Sequence, residues 1–122
     1  MKAQFIFLLT LGFMSLTVWA SDIDLSGYKG TLACKSVSDY FKLPDIKLNL
    51  ADQYLFFGQD ENKITIGWSV TECEDDSVFT FSKKDFATMV KNAGKKVYVQ
   101  FEHHGPETEL KTIYECSYQE LP

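Results

Sequence analysis

Short runs of alternating apolar and polar side chains, separated by turn residues, most narrow what this chain can fold into. The longest run is Lys63-Ile64-Thr65-Ile66-Gly67-Trp68-Ser69-Val70-Thr71, and Asp45 to Leu50 alternates with Ile46, Leu48 and Leu50 on one face. Successive strand side chains point to opposite faces of a sheet, so this period buries one face and wets the other. Tyr28 to Cys34, Val78 to Phe81, Val97 to Phe101 and Glu109 to Tyr118 read as further strands, and Tyr54 to Phe57 as one apolar on both sides. Turns are expected at Ala51-Asp52-Gln53, Gly58 to Asn62, Glu74 to Ser77 and His103 to Glu107. The stretch from Ser36 to Lys42, which precedes Pro44, fits either a loop or a helical turn.

One segment breaks the period. Ser82 stands three residues before Asp85 in a capping-box arrangement. Phe86, Met89, Val90 and Ala93 follow at helical spacing, and Gly94 stands where a helix should stop. The fold expected is therefore mainly β: a small antiparallel barrel or twisted sheet of six to seven strands with one amphipathic helix, about 82–93.

The start of the chain belongs to a different regime. Met1-Lys2 precedes an apolar run from Phe5 to Val18 that ends on Val18-Trp19-Ala20 before Ser21-Asp22. A basic start, an apolar centre and small residues before the cut describe a secretory signal peptide, cleaved after Ala20. The run is shorter than the ~20 residues that span a bilayer, so no membrane insertion is expected after cleavage. Residues 21–122 then form one exported domain, periplasmic or extracellular, long enough to bury a core of its own.

All three cysteines lie in that domain. An oxidising compartment pairs two of them and leaves one. Strand parity places Cys34 with Tyr28 and Leu32, Cys116 with Leu110, Tyr114 and Tyr118, and Cys73 with Thr65, Ser69 and Thr71. The first two look inward, so a Cys34–Cys116 disulfide is expected, with Cys73 left as a free thiol or an intermolecular link. Closing so long a loop stabilises a domain by roughly 3–4 kcal/mol in the chain-entropy model.

Charge excludes several functions. The chain has no arginine, 12 lysines and 17 acidic residues. Without Lys2 the mature domain holds 11 lysines against those 17, a net −6. Arginine is the preferred fork for phosphates and guanine edges, so nucleic acid is an improbable partner, and an anionic membrane is disfavoured by sign. A protein partner, and by sign a basic one, fits better. Monomer and dimer stay open.

Catalytic and cofactor signatures are absent: there is no Gly-x-Ser-x-Gly, no glycine-rich phosphate loop and no His-Glu-x-x-His. No cofactor is expected. His103 and His104 sit near Glu102, Glu107 and Glu109, but zinc wants three or four convergent ligands, so solvated turn histidines are the simpler reading. Glu72, Glu74, Asp75 and Asp76 lack the order of a calcium loop and read as turn charge or an electrostatic contact. Acids flanking Cys73 disfavour its thiolate. Tyr98 is out of phase with Val97, Val99 and Phe101 and should face outward, where a tyrosine on a rigid sheet makes a good anchor.

The function these features favour is a small exported binding protein that recognises another macromolecule, inhibitor-like or immunity-like, without catalysis. Glu72, Glu74, Asp75, Asp76, Tyr98, His103 and His104, in or near loops 58–62, 72–77 and 103–108, are its candidate contact residues. A carrier holding a small apolar ligand in an internal cavity is the alternative, and a small secreted hydrolase the third reading.

Overall fold

The computed structural model describes residues 23–38, 43–69 and 75–120. The expected signal peptide, with Glu72, Cys73 and Glu74, lies outside these residues. A 3-10 turn (Leu25–Gly27) precedes β1 (Thr31–Ser36), β2 (Ile46–Asn49), β3 (Phe56–Gln59), β4 (Lys63–Ser69) and β5 (Asp76–Ser82). Helix α1 (Lys83–Lys91), β6 (Lys96–His104) and β7 (Glu109–Gln119) follow.

The seven strands make one antiparallel sheet in the order β2-β1-β7-β6-β5-β4-β3, curled into a half-barrel. The expected mainly β architecture with one helix is thus present, in its open form. Chain neighbours pair throughout, with two exceptions: β1 pairs with β7, and β2 does not pair with β3. The opening therefore falls between β2 and β3, which are joined only by the link from Leu50 to Leu55.

Cys34 faces Cys116 in the β1–β7 ladder, and the two form the disulfide expected from parity. The concave face carries Leu32, Ile64, Ile66, Phe79, Phe81, Val99 and Tyr114, closed over by Phe86 and Met89 of α1. Phe79 stacks or edges against Trp68, Phe81, Phe101 and Tyr114, with ring centroids 5.3–6.4 Å apart. Such offset and edge contacts suit the ring quadrupoles.

The helix starts as its cap requires. Ser82 Oγ accepts the Asp85 N–H at 3.0 Å, satisfying one of the orphan donors of the first turn. It ends earlier than the spacing suggests, at Lys91, so Ala93 lies beyond it and is exposed. Asn92 terminates it by donating both its backbone N–H (3.2 Å) and its side-chain amide (3.1 Å) to Thr88 O. Gly94 then adopts φ +88°, a left-handed conformation that glycine takes without penalty.

β1 begins at Thr31 rather than Tyr28 and β3 at Phe56 rather than Tyr54, and three turns are shorter than the sequence reading gives them. Asp76 and Ser77 belong to β5, because they pair with His104 and His103 of β6. Both histidines are consequently strand residues, and the turn shrinks to the tip closed by Gly105 N–H to Thr108 O at 2.8 Å. Gly58 and Gln59 belong to β3, leaving a tight turn in which Asp60 Oδ1 accepts the N–H groups of Asn62 (2.8 Å) and Lys63 (2.9 Å). Those two donors hold the Asp60 carboxyl below its ordinary pKa. In all three places the pairing of a neighbouring strand outweighs the local preference of polar residues for a turn.

Candidate functional site

Adjacent residues on β6 point to opposite faces, and this separates the two histidines. His103 turns inward. It lies in a row across the concave face with Trp68, Ser77 and Leu110, and its Nδ1 is 2.9 Å from Ser77 Oγ. A serine beside a histidine invites comparison with a nucleophile and its base. Ser77 is only 2% exposed, however, and a hydroxyl so enclosed cannot meet an incoming carbonyl. Among the described residues no carboxylate bonds the other ring nitrogen. The pair satisfies two polar side chains at the rim of an apolar core.

His104 turns outward into a charged row. Ser69, Asp76, His104 and Glu109 are successive ladder partners on the convex side. Ser69 Oγ donates to Asp76 Oδ1 at 2.9 Å. His104 lies between Glu102 (3.5 Å) and Glu109 (3.6 Å), and Lys111 Nζ is 3.8 Å from Glu102. Among the described residues no three His, Cys, Asp or Glu side chains converge on a point that could hold a metal. The row is a solvated polar network, in which each contact contributes little to stability. Asp75 flanks it beside the Gly105 turn, where a Cβ on Gly105 would stand 2.9 Å from Asp75 Oδ1.

Tyr98 lies on the same convex face, three alternate positions back along β6 from His104. It is 65% exposed, as its phase implies. β6 is an interior strand of the sheet; at Tyr98 it is laddered to β7, and its pairing with β5 begins two residues on, at Gln100. Glu115 is its cross-strand partner, and Ile113 stands diagonally beyond, opposite Gln100. The β1–β7 ladder continues by one further bond, Val37 N–H to Ile113 O at 3.2 Å, which sets Val37 beside Ile113. Val37, Ile113, Gln100, Thr80, Thr65 and Gly58 thus form an uncharged belt across the convex side, in which Val37 and Ile113 are exposed. A shallow cleft of about 370 Å³ runs alongside, lined by Lys63, Thr80, Tyr98, Gln100 and Ile113.

The structure therefore gathers Asp76 and His104 with Glu102 and Glu109 at one end of the convex face, and places Tyr98 farther along it. His103 is turned away from both, and Asp75 sits at the rim. The loops expected to act together do not all do so: the β3–β4 turn lies at the opposite end of β4 and β5 from Asp76 and the Gly105 turn. Ile113 and Val37 were missed as surface residues. The phase of β7 carried the signal for Ile113, which is out of step with Tyr114 and Cys116. No sequence signal placed Val37.

Comparisons with protein-family models, with curated proteins and with solved structures give no match to this chain. Its class is set by its own architecture: a small antiparallel half-barrel with one helix, its first and last strands joined by a disulfide.

Proposed function

We propose that this chain is an exported binding protein that recognises another macromolecule through the convex face of its sheet, in the manner of an inhibitor or immunity protein and without catalysis of its own. The observation that carries the reading is the exposure of Tyr98, 65%, on an interior strand of the sheet, where its backbone is laddered to β7 opposite Glu115. A large amphipathic ring on rigid backbone loses little conformational entropy on binding and offers broad contact area, which is why tyrosine recurs as an interface anchor. Ile113 and Val37 extend the apolar contact. The acidic end, with Asp76, Glu102 and Glu109, orients a basic partner during approach.

The packed interior supports this reading over the internal carrier. Phe79, Phe81, Phe86, Met89 and Tyr114 are fully buried and occupy the space between sheet and helix that a ligand would need.

The test is capture from extracts of the source organism and its competitors on immobilised oxidised protein, run in parallel with Tyr98→Ala and with Ile113→Lys. A dominant partner retained by the wild type and lost by both variants supports the reading. Equal retention by all three proteins would place recognition elsewhere and sink it.

A further inference from the structure

Phe57 is an inward-facing residue that the fold leaves uncovered. It pairs with Ile66 in the β3–β4 ladder, so parity aims both toward the concave side. Ile66 is fully buried, whereas Phe57 is 38% exposed. The cause is topological. β3 is one edge of the sheet, β2 is the other, and no ladder closes the gap between them. Helix α1 packs on β4 to β7 and meets the seam's wall through the edge contact of Phe86 with Tyr28, ring centroids 5.8 Å apart, leaving Phe57 uncovered.

The seam contains a cleft of about 440 Å³, with Leu25, Tyr28, Lys29, Leu50, Leu55 and Phe57 among its lining residues. Its apolar wall comes from three separate stretches: the N-terminal 3-10 turn and its flank, the β2–β3 link, and β3. The volume lies within the range of small-molecule sites, about 300–1,000 Å³. Two charged residues line it, Lys29 and Asp52. Asp52 is engaged locally, its Oδ1 accepting the Tyr54 N–H at 2.9 Å. Lys29 makes no ion pair among the described residues. The cleft thus joins an uncovered apolar wall to one uncommitted positive charge.

We propose that this seam binds a small amphiphile, a medium-chain acyl carboxylate, with its chain against Leu25, Tyr28, Leu55 and Phe57 and its carboxylate at the Lys29 ammonium. Chain burial removes Phe57 from water, the term that drives such binding. The ammonium is a compact point charge on a flexible stem and can follow the headgroup at the mouth. The site shares no residue with the convex face around Tyr98, so it neither needs nor supports the macromolecular reading above.

Octanoate, decanoate and the neutral 1-octanol are titrated calorimetrically below micellar concentrations, with methyl resonances followed in parallel. Decanoate is expected to bind about fifteenfold tighter than octanoate, since each of its two further buried methylenes contributes about fourfold. Shifts should concentrate on Leu25, Leu50 and Leu55. Lys29→Glu should weaken both carboxylates about tenfold and leave 1-octanol unchanged, and Phe57→Asp should weaken all three. Should Phe57→Asp fail to retain the near-ultraviolet signal of Trp68, the Lys29→Glu comparison decides alone. Absence of saturable decanoate binding, shifts centred elsewhere, or an unchanged carboxylate affinity in Lys29→Glu would overturn the proposal. So would protection of the Phe57 amide by an extended peptide without any response to decanoate, which assigns the seam to strand addition instead.

Discussion

Cys34 and Cys116 stand directly opposite each other in the β1–β7 ladder, with Cα atoms 4.1 Å apart and a separation of 82 in sequence. Their disulfide therefore locks the one strand pair whose members are not neighbours along the chain. Every other ladder closes through a short link or a helix, while this one brings together the start and end of the described domain. In the chain-entropy account, a loop of that length costs the unfolded state about 4 kcal/mol of stabilising freedom when it is closed. The Cys34→Ala, Cys116→Ala double variant should lose stability of that order in urea, and reductant should do the same to the wild type. A double variant as stable as the oxidised protein would contradict the structural role.

Ser82 both ends β5 and caps α1, its hydroxyl accepting the Asp85 N–H at 3.0 Å. Ser82→Ala leaves that donor unsatisfied in the first helical turn, at a cost of about 1 kcal/mol. Thermal unfolding followed by circular dichroism should report a lower midpoint. Ser82→Asp should restore it, since aspartate caps equally well and suits the helix dipole.

Gly67 has no side chain because Phe56 lies over it. A Cβ there would collide with the Phe56 ring and approach Ser77 O at 3.1 Å. Gly67→Ala should push Phe56 off the sheet and raise its exposure, with a destabilisation of about 1–3 kcal/mol from overpacking. The pair Gly67→Ala with Phe56→Ala should recover most of that loss, which a double-mutant cycle measures.

Tyr114 is held in its protonated form. Burial raises its pKa above the ordinary value of 10.0, and the nearby Asp45 charge adds to the shift. Its hydroxyl donates to Pro44 O at 3.0 Å, a bond that the phenolate could not make. The folded pKa exceeds the unfolded one, so the folded state binds this proton more tightly. The associated stability is fully present below the ordinary tyrosine pKa and is lost as pH rises through the raised value. In an alkaline spectrophotometric titration one tyrosine should ionise late, and Tyr114→Phe should remove that late step. A wild-type curve with no late ionisation would refute the assignment.

Much of this fold was readable because its period is two. Parity alone aimed Cys34 and Cys116 inward and Tyr98 outward, and it needs only the alternation of side chains along a strand. The helix was equally legible from Ser82, the Phe86–Met89–Val90 spacing and Gly94. Reading failed where polar residues sit inside strands. Asp76, Ser77, His103 and His104 resemble turn residues, but each is paired across β5 and β6. The cross-strand partner that satisfies a polar strand residue is remote in sequence, so no local window contains it.

The sequence by itself determined which side of each strand is apolar, where the helix begins and which two cysteines face the core, because these follow from local spacing and side-chain chemistry. Only the tertiary structure decided that the sheet stays open between β2 and β3, that His103 and His104 part to opposite faces at a strand end, and that Val37 meets Ile113 on one belt. Those facts depend on register and strand order, which are set by the joint packing of elements far apart in the chain. The half-open Phe57 shows the difference most plainly: its register with Ile66 aims it at the core, and the absence of a neighbouring strand leaves it at the surface.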